Sequence, residues 1–282
     1  MKLFKRYMKK LIKIINKEEM KVLPGHLSFF LVLSLIPAIT IVGLLCNVFD
    51  LSSGDIINFF DDVAPTGVME VVRPFIHSSG SSIALIYLII GFILVSNGAF
   101  AIIQTSNTLY GVKNSSQLMG RIKSIFLTIL LMFSFIFILI VLAFGNKIVG
   151  FILGLEMFSD ISNNVYQVFV YLKWPLAFFM IYMIIKLIYT LAPDRSVKSK
   201  TVTKGAIFTT IGWLGITAIY SYYANNVARY DLFYGNLSNI IILMMWIYVI
   251  SYIFVIGIAI NVNSYNAVVE NTTNENSDIN TQ

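Results

Sequence analysis

Apolar residues along this chain gather into six long runs, neither the short alternations of strands nor the one-sided stripes of soluble helices. The runs lie near 27–48, 83–104, 124–145, 170–191, 205–224 and 239–262. Each holds about 20 residues, enough at about 1.5 Å per residue to cross roughly 30 Å of hydrocarbon. In lipid every backbone polar group must be paired within the protein, and a helix does this by itself. The pattern therefore predicts an all-α fold, a polytopic membrane protein whose six-transmembrane-helix bundle occupies residues 27–262.

Ahead of the first run, residues 1–26 place Phe4, Met8, Leu11 and Ile15 on one stripe, with Lys2, Lys5, Arg6, Lys9, Lys10, Lys13 and Lys17 around the rest. That spacing predicts an N-terminal amphipathic interfacial helix. Lysines interrupt its apolar part and no small-residue cleavage site follows, which disfavours a signal peptide. Between the first two runs, Ile56, Phe59, Phe60 and Val63, then Val68, Val71, Val72, Phe75 and Ile76, recur at helical spacing around Ala64, Pro65, Thr66 and Gly67. A short extracytoplasmic helical hairpin is expected there. Residues 263–282 read as a polar cytoplasmic tail. From Asn271 almost nothing apolar remains, and the composition predicts disorder.

Composition agrees: 57% of the 282 residues are apolar and 12% charged, and the mean hydropathy is +0.81. A soluble chain of this size could not hide such runs and still cover itself with polar surface. Cys46 is the single cysteine, so an intrachain disulfide is excluded, as is a cysteine-based metal site. The net charge of +6 would suggest nucleic acid in a soluble protein. Its distribution argues against that. Fifteen of the twenty Lys and Arg lie in 1–26, 111–123 and 192–204, whereas the alternate loops hold Arg73, Lys147 and Arg229. The positive-inside rule places the N-terminus and C-terminus in the cytoplasm. The basic N-terminal helix then faces anionic lipid headgroups, making membrane lipids the expected partners.

Several sets of residues carry a resemblance. Gly25, His26, Leu27, Ser28, Phe29 and Phe30 precede Ser34, Leu35, Ile36 and Pro37; then come Pro193-Asp194-Arg195, Gly205-Ala206, Trp213 and Tyr234-Gly235-Asn236-Leu237. Trp246-Ile247-Tyr248 follows, with Gly257 and Asn261. In this order and spacing, up to about Asn263, they resemble the YihY/BrkB family of bacterial inner-membrane proteins. The resemblance implies a six-span plasma-membrane protein. It also brings three labels the family has carried: ribonuclease, virulence or serum resistance, and transport of lipid or envelope components. One position departs from the family pattern: Ala259 stands where many relatives have Glu, so no mechanism needing a carboxylate there carries over.

The residues themselves argue against an enzyme. A nuclease needs clustered acids and histidines to hold metal, or an acid and a base within reach of one phosphate. The two histidines, His26 and His77, fall on opposite sides of the expected bilayer. Glu18 and Glu19 sit among lysines that pair them, and Asp61 and Asp62 are adjacent and outside. There is no phosphate-cradling glycine loop and no Ser-His-Asp arrangement that topology permits. No cofactor is expected.

Polar residues at membrane depth are the stronger signal, because an amide facing lipid is costly. Ser96, Asn97, Gln104 and Asn107 fall within an arc of about 100° on the second span. They form either the wall of a polar path or interhelical hydrogen bonds. Lys186, inside the fourth span, either snorkels to headgroups or recognises an anionic substrate. Asn261 in the last span completes the candidate path. Lys173 beside Trp174, and the group Tyr220, Tyr222, Tyr223 and Tyr230, read as interface anchors. The leading expectation is a non-enzymatic transporter or exporter of a lipid or other amphiphilic envelope component. The competing one is a membrane scaffold.

Overall fold

The computed structural model describes residues 2–48, 54, 57, 84–112, 116–153, 162–227 and 229–279, and among these there is no strand. The helices are α1 Lys2–Ile15, α2 Glu19–Val48, α3 Ala84–Tyr110, α4 Gln117–Leu153, α5 Ser162–Leu191, α6 Thr203–Asn226, α7 Tyr230–Tyr234 and α8 Ser238–Ile279, with a 3-10 turn Gly235–Leu237 before α8. α2 packs on α3, α3 on α4, α4 on α5, α5 on α6, α6 on α8, and α8 back on α2. The six long helices thus close a ring, and α8 also reaches α3.

The ring has an apolar core studded with polar side chains, and it also exposes many large apolar side chains on its outside. Ser96, Thr105, Asn107, Thr209, Thr210 and Asn261 are buried, while Ile93, Phe126, Phe133, Phe137 and Ile211 are exposed. A surface of Ile and Phe around a polar-studded interior suits a hydrocarbon solvent. Three helical stretches among the described residues, Ile89–Tyr110, Gln117–Ser134 and Ser238–Glu270, are long and apolar enough to cross a membrane, and Pro175–Leu191 is a shorter apolar one. Several interior hydroxyls pair within their own helices: Ser34 donates to the Leu31 carbonyl (3.0 Å), Thr128 to that of Ser124 (2.8 Å) and Thr210 to that of Ala206 (2.8 Å). This local pairing removes the cost of the hydroxyl without a partner helix.

Helix ends follow local chemistry. Gly111 stops α3 in the left-handed region (φ 64°). Its N–H bonds the Thr108 carbonyl at 3.2 Å, and the Val112 N–H bonds that of Asn107 at 3.0 Å. This is a Schellman cap, open without strain to glycine. Pro24 and Pro37 both lie inside α2, and Pro175 inside α5.

Two segments differ from expectation or lie beyond it. The composition of 263–282 predicts a disordered tail, whereas α8 continues to Ile279. Extending a helix already nucleated by packing adds one hydrogen bond per residue fixed, so propagation outlasts the apolar stretch. The hairpin expected over 50–82, including Phe59, Phe60 and Phe75, lies outside the described residues apart from Gly54 and Ile57. In α1, Leu11, Ile14 and Ile15 pack against the bundle core, and Lys10 pairs with Glu270 of α8. Its described apolar face therefore meets protein.

Candidate functional site

The polar groups of the bundle concentrate where α3 and α5 end and α4 and α6 begin. Asp194, in the loop between α5 and α6, is the hub. Its Oδ1 accepts from Lys123 Nζ at 2.6 Å and its Oδ2 from Asn107 Nδ2 at 2.7 Å. Its backbone N–H donates to Asn107 Oδ1 at 2.7 Å. Lys123 also donates to the Ala192 and Pro193 carbonyls, at 2.8 and 2.9 Å. Asn107 of α3 and Lys123 of α4 thus hold the Pro193-Asp194-Arg195 turn by five hydrogen bonds. Next door, the Arg195 guanidinium lies 4.7 Å over the Tyr265 ring, which meets Tyr110 edge-on.

A second group joins α5, α6 and α8. The Tyr189 hydroxyl donates to the Phe254 carbonyl at 2.8 Å and lies 2.7 Å from Thr209 Oγ1. With its proton on Phe254, it accepts from Thr209. One turn away, Asn261 Oδ1 accepts the Gly205 N–H at 2.9 Å. Val202, the N-cap of α6, offers no side-chain cap, so an amide from another helix satisfies one of the free N–H groups of the first turn. Tyr189→Phe is expected to lower stability by about 1–2 kcal/mol, because it removes two buried hydrogen bonds that join α5 to α6 and α8. Thermal unfolding in detergent checks this. Adding Thr209→Val should cost less than it does alone, since the partner is already gone.

The six predicted path residues take six different places. Ser96 is buried and spends its hydroxyl on the Ile93 carbonyl at 2.7 Å. Asn97 accepts from Arg121 Nη1 of α4 at 2.6 Å. Gln104 is partly buried on α3. Asn107 belongs to the Asp194 clamp, and Asn261 to the α6 cap. Lys186 lines an open groove of about 550 Å³ between α4 and α5, with Ser134, Phe137, Phe179, Met183, Thr190 and Ser199. Its Nζ lies 5.5 Å from the centre of the Tyr182 ring. The structure brings Asn107 together with Lys123 and Asp194, and keeps Lys186 apart on the α5 exterior.

Sequence reasoning missed Lys123, which was pooled with loop charges, and the pairing of Tyr189 with Thr209. The signal for the first was the Pro193-Asp194-Arg195 triplet, whose lone acid at the end of an apolar run calls for a cation. Of the expected anchors, Tyr220, Tyr223 and Tyr230 form, with Tyr234, a ladder of rings 6.1 to 6.4 Å apart. Among the described residues no group of three His, Cys, Asp or Glu could hold a metal ion. His26 rests edge-on to Phe30, with ring centres 5.1 Å apart.

A closed ring of long helices, with large apolar side chains exposed outside and polar groups set among an apolar core, defines an α-helical membrane protein. A family model described as "Virulence factor BrkB" matches residues 11–280, and the chain belongs to that BrkB family. Similar proteins include the ribonuclease-like protein YfkH of Bacillus subtilis, 28% identical over 84% of this chain and 87% of that one. UPF0761 membrane proteins are also similar. One from Alteromonas mediterranea is 23% identical over 87% of this chain and 82% of its own length; one from Vibrio vulnificus is 25% identical over 90% and 80%. No solved structure matches the chain.

Proposed function

We propose that this protein is a non-enzymatic transporter or exporter of a lipid or similar anionic amphiphile. In this reading it spans the bacterial plasma membrane six times, with both termini in the cytoplasm. The observation that carries the proposal is the groove between α4 and α5. Its walls are Phe137, Phe179, Met180 and Met183, and its polar groups are Lys186, Thr190 and Ser199. An acyl chain fits such walls, and a phosphate fits a compact ammonium charge held among them. The orientation rests on the fifteen basic residues gathered on one side. No step of chemistry is invoked, and no catalytic residue is assigned.

The test is redistribution of a labelled phosphatidylglycerol across sealed liposomes holding purified protein. Parent protein should accelerate it over empty vesicles. Lys186→Gln should slow it several-fold, and Asn97→Leu/Gln104→Leu should slow it if the α3 face lines the same path. Redistribution equal to that of empty vesicles, by protein shown to be folded, would overturn transport. That outcome favours the scaffold reading, for which α7 offers Leu232 and Phe233, 68% and 84% exposed.

A further inference from the structure

Arg121 lies in α4, within the apolar stretch Gln117–Ser134, about 6 Å along the helix axis from Gln117. It is exposed on the outside of the bundle. A free arginine there would extend toward water at the helix start. This one is held instead against α3. Its Nη1 donates to Asn97 Oδ1 at 2.6 Å, and its guanidinium carbon lies 4.5 Å over the Phe100 ring. The ring is held in place by Gly120, where a Cβ would come within 2.9 Å of it.

Among the described residues no carboxylate pairs with the charge so fixed: neither ion pair, Lys10–Glu270 or Lys123–Asp194, includes Arg121. A guanidinium carries five donors in a planar fork, and Asn97 takes one. The helical repeat places exposed apolar residues on the same faces, Ile93 and Leu94 beside Asn97 on α3 and Leu118 and Ile125 beside Arg121 on α4. A fixed cation at this depth, flanked by hydrocarbon-facing side chains, calls for an anion that carries its own acyl chains.

We propose that Asn97, Phe100 and Arg121 form a binding site for the phosphate headgroup of an anionic membrane phospholipid, entered from the lipid side between α3 and α4. Asn97 and Phe100 fix the guanidinium, and its remaining donors grip the phosphate oxygens. The site lies on the α3 side of α4, away from the Lys186 groove on the α5 side. It concerns equilibrium binding, and stands whether or not the protein moves its lipid.

The test is lipid retention by the full-length protein, read by native mass spectrometry after exchange from phosphatidylglycerol-containing micelles. Diacylglycerol of matched chains is the comparison without phosphate. Parent protein should keep phosphatidylglycerol and release diacylglycerol. Arg121→Gln should weaken retention by about tenfold, equivalent to about 1.4 kcal/mol. Arg121→Lys keeps the charge without the fork and should fall between, and Asn97→Leu should also weaken binding by freeing the guanidinium. If Arg121→Gln does not fold, the last two variants carry the test. Retention unchanged in every folded variant would overturn the site. Displacement of the lipid by millimolar inorganic phosphate would also overturn it, by assigning the cation to free phosphate.

Discussion

Asp194→Ala is expected to lower the unfolding free energy by about 3 kcal/mol, the range for breaking a largely buried ion pair by removing one partner. The carboxylate is 14% exposed and the Lys123 side chain 26%, so water compensates only in part. Removing it strands the Lys123 ammonium against two carbonyls and leaves the Asn107 amide without one acceptor. The two losses add because separate oxygens serve them. Asp194→Asn should cost less, since one oxygen still accepts from Lys123 while the amide nitrogen faces a donor. Thermal midpoints in detergent measure both. A cycle with Lys123→Met isolates the pair, with a coupling energy of about 1–3 kcal/mol expected. An alanine variant within about 0.5 kcal/mol of parent would place Asp194 among ordinary surface residues.

That clamp also marks where sequence reading reaches its limit. The helices were legible because an apolar run long enough to span a bilayer has few other ways to satisfy its backbone. Residues 84–104 of one expected run are helical in α3, and residues 205–224 of another are helical in α6. Periodicity assigns a residue to a face of its own helix but not to a neighbour. Asn97 and Asn107 share one arc of α3, yet one receives Arg121 of α4 and the other grips Asp194 of the loop between α5 and α6. Asn261 was legible as a buried amide. Its role as a cap for α6 was not, since that depends on the register of α8 against Gly205. The polar tail misled for a different reason: composition reports whether a segment can bury apolar surface, not whether a packed helix already runs into it.

Register is sharply set at the crossing of α6 and α8, where Gly205→Ala should be the most damaging single methyl among the described glycines. A Cβ at 205 would fall well inside van der Waals distance of the Gly257 carbonyl oxygen and the Asn261 amide. The first is backbone and cannot rotate away. The second accepts the Gly205 N–H, so moving it uncaps the helix. Overpacking of this kind costs about 1–3 kcal/mol or more, and the lost hydrogen bond adds about 1 kcal/mol. Gly257→Ala meets the buried Tyr189 and Thr209 hydroxyls, which are side-chain rather than backbone atoms, and should be the milder change. Gly215→Ala is the control on the same helix as Gly205. Nothing lies within 4 Å of its Cβ, and the gain in helix propensity should leave it neutral or more stable by up to about 1 kcal/mol. Asn261→Ala combined with Gly205→Ala should recover only part of the loss, because it clears the amide but leaves the carbonyl. Full recovery would mean that the side chain alone sets the approach of the two helices; no recovery would assign it wholly to the backbone contact.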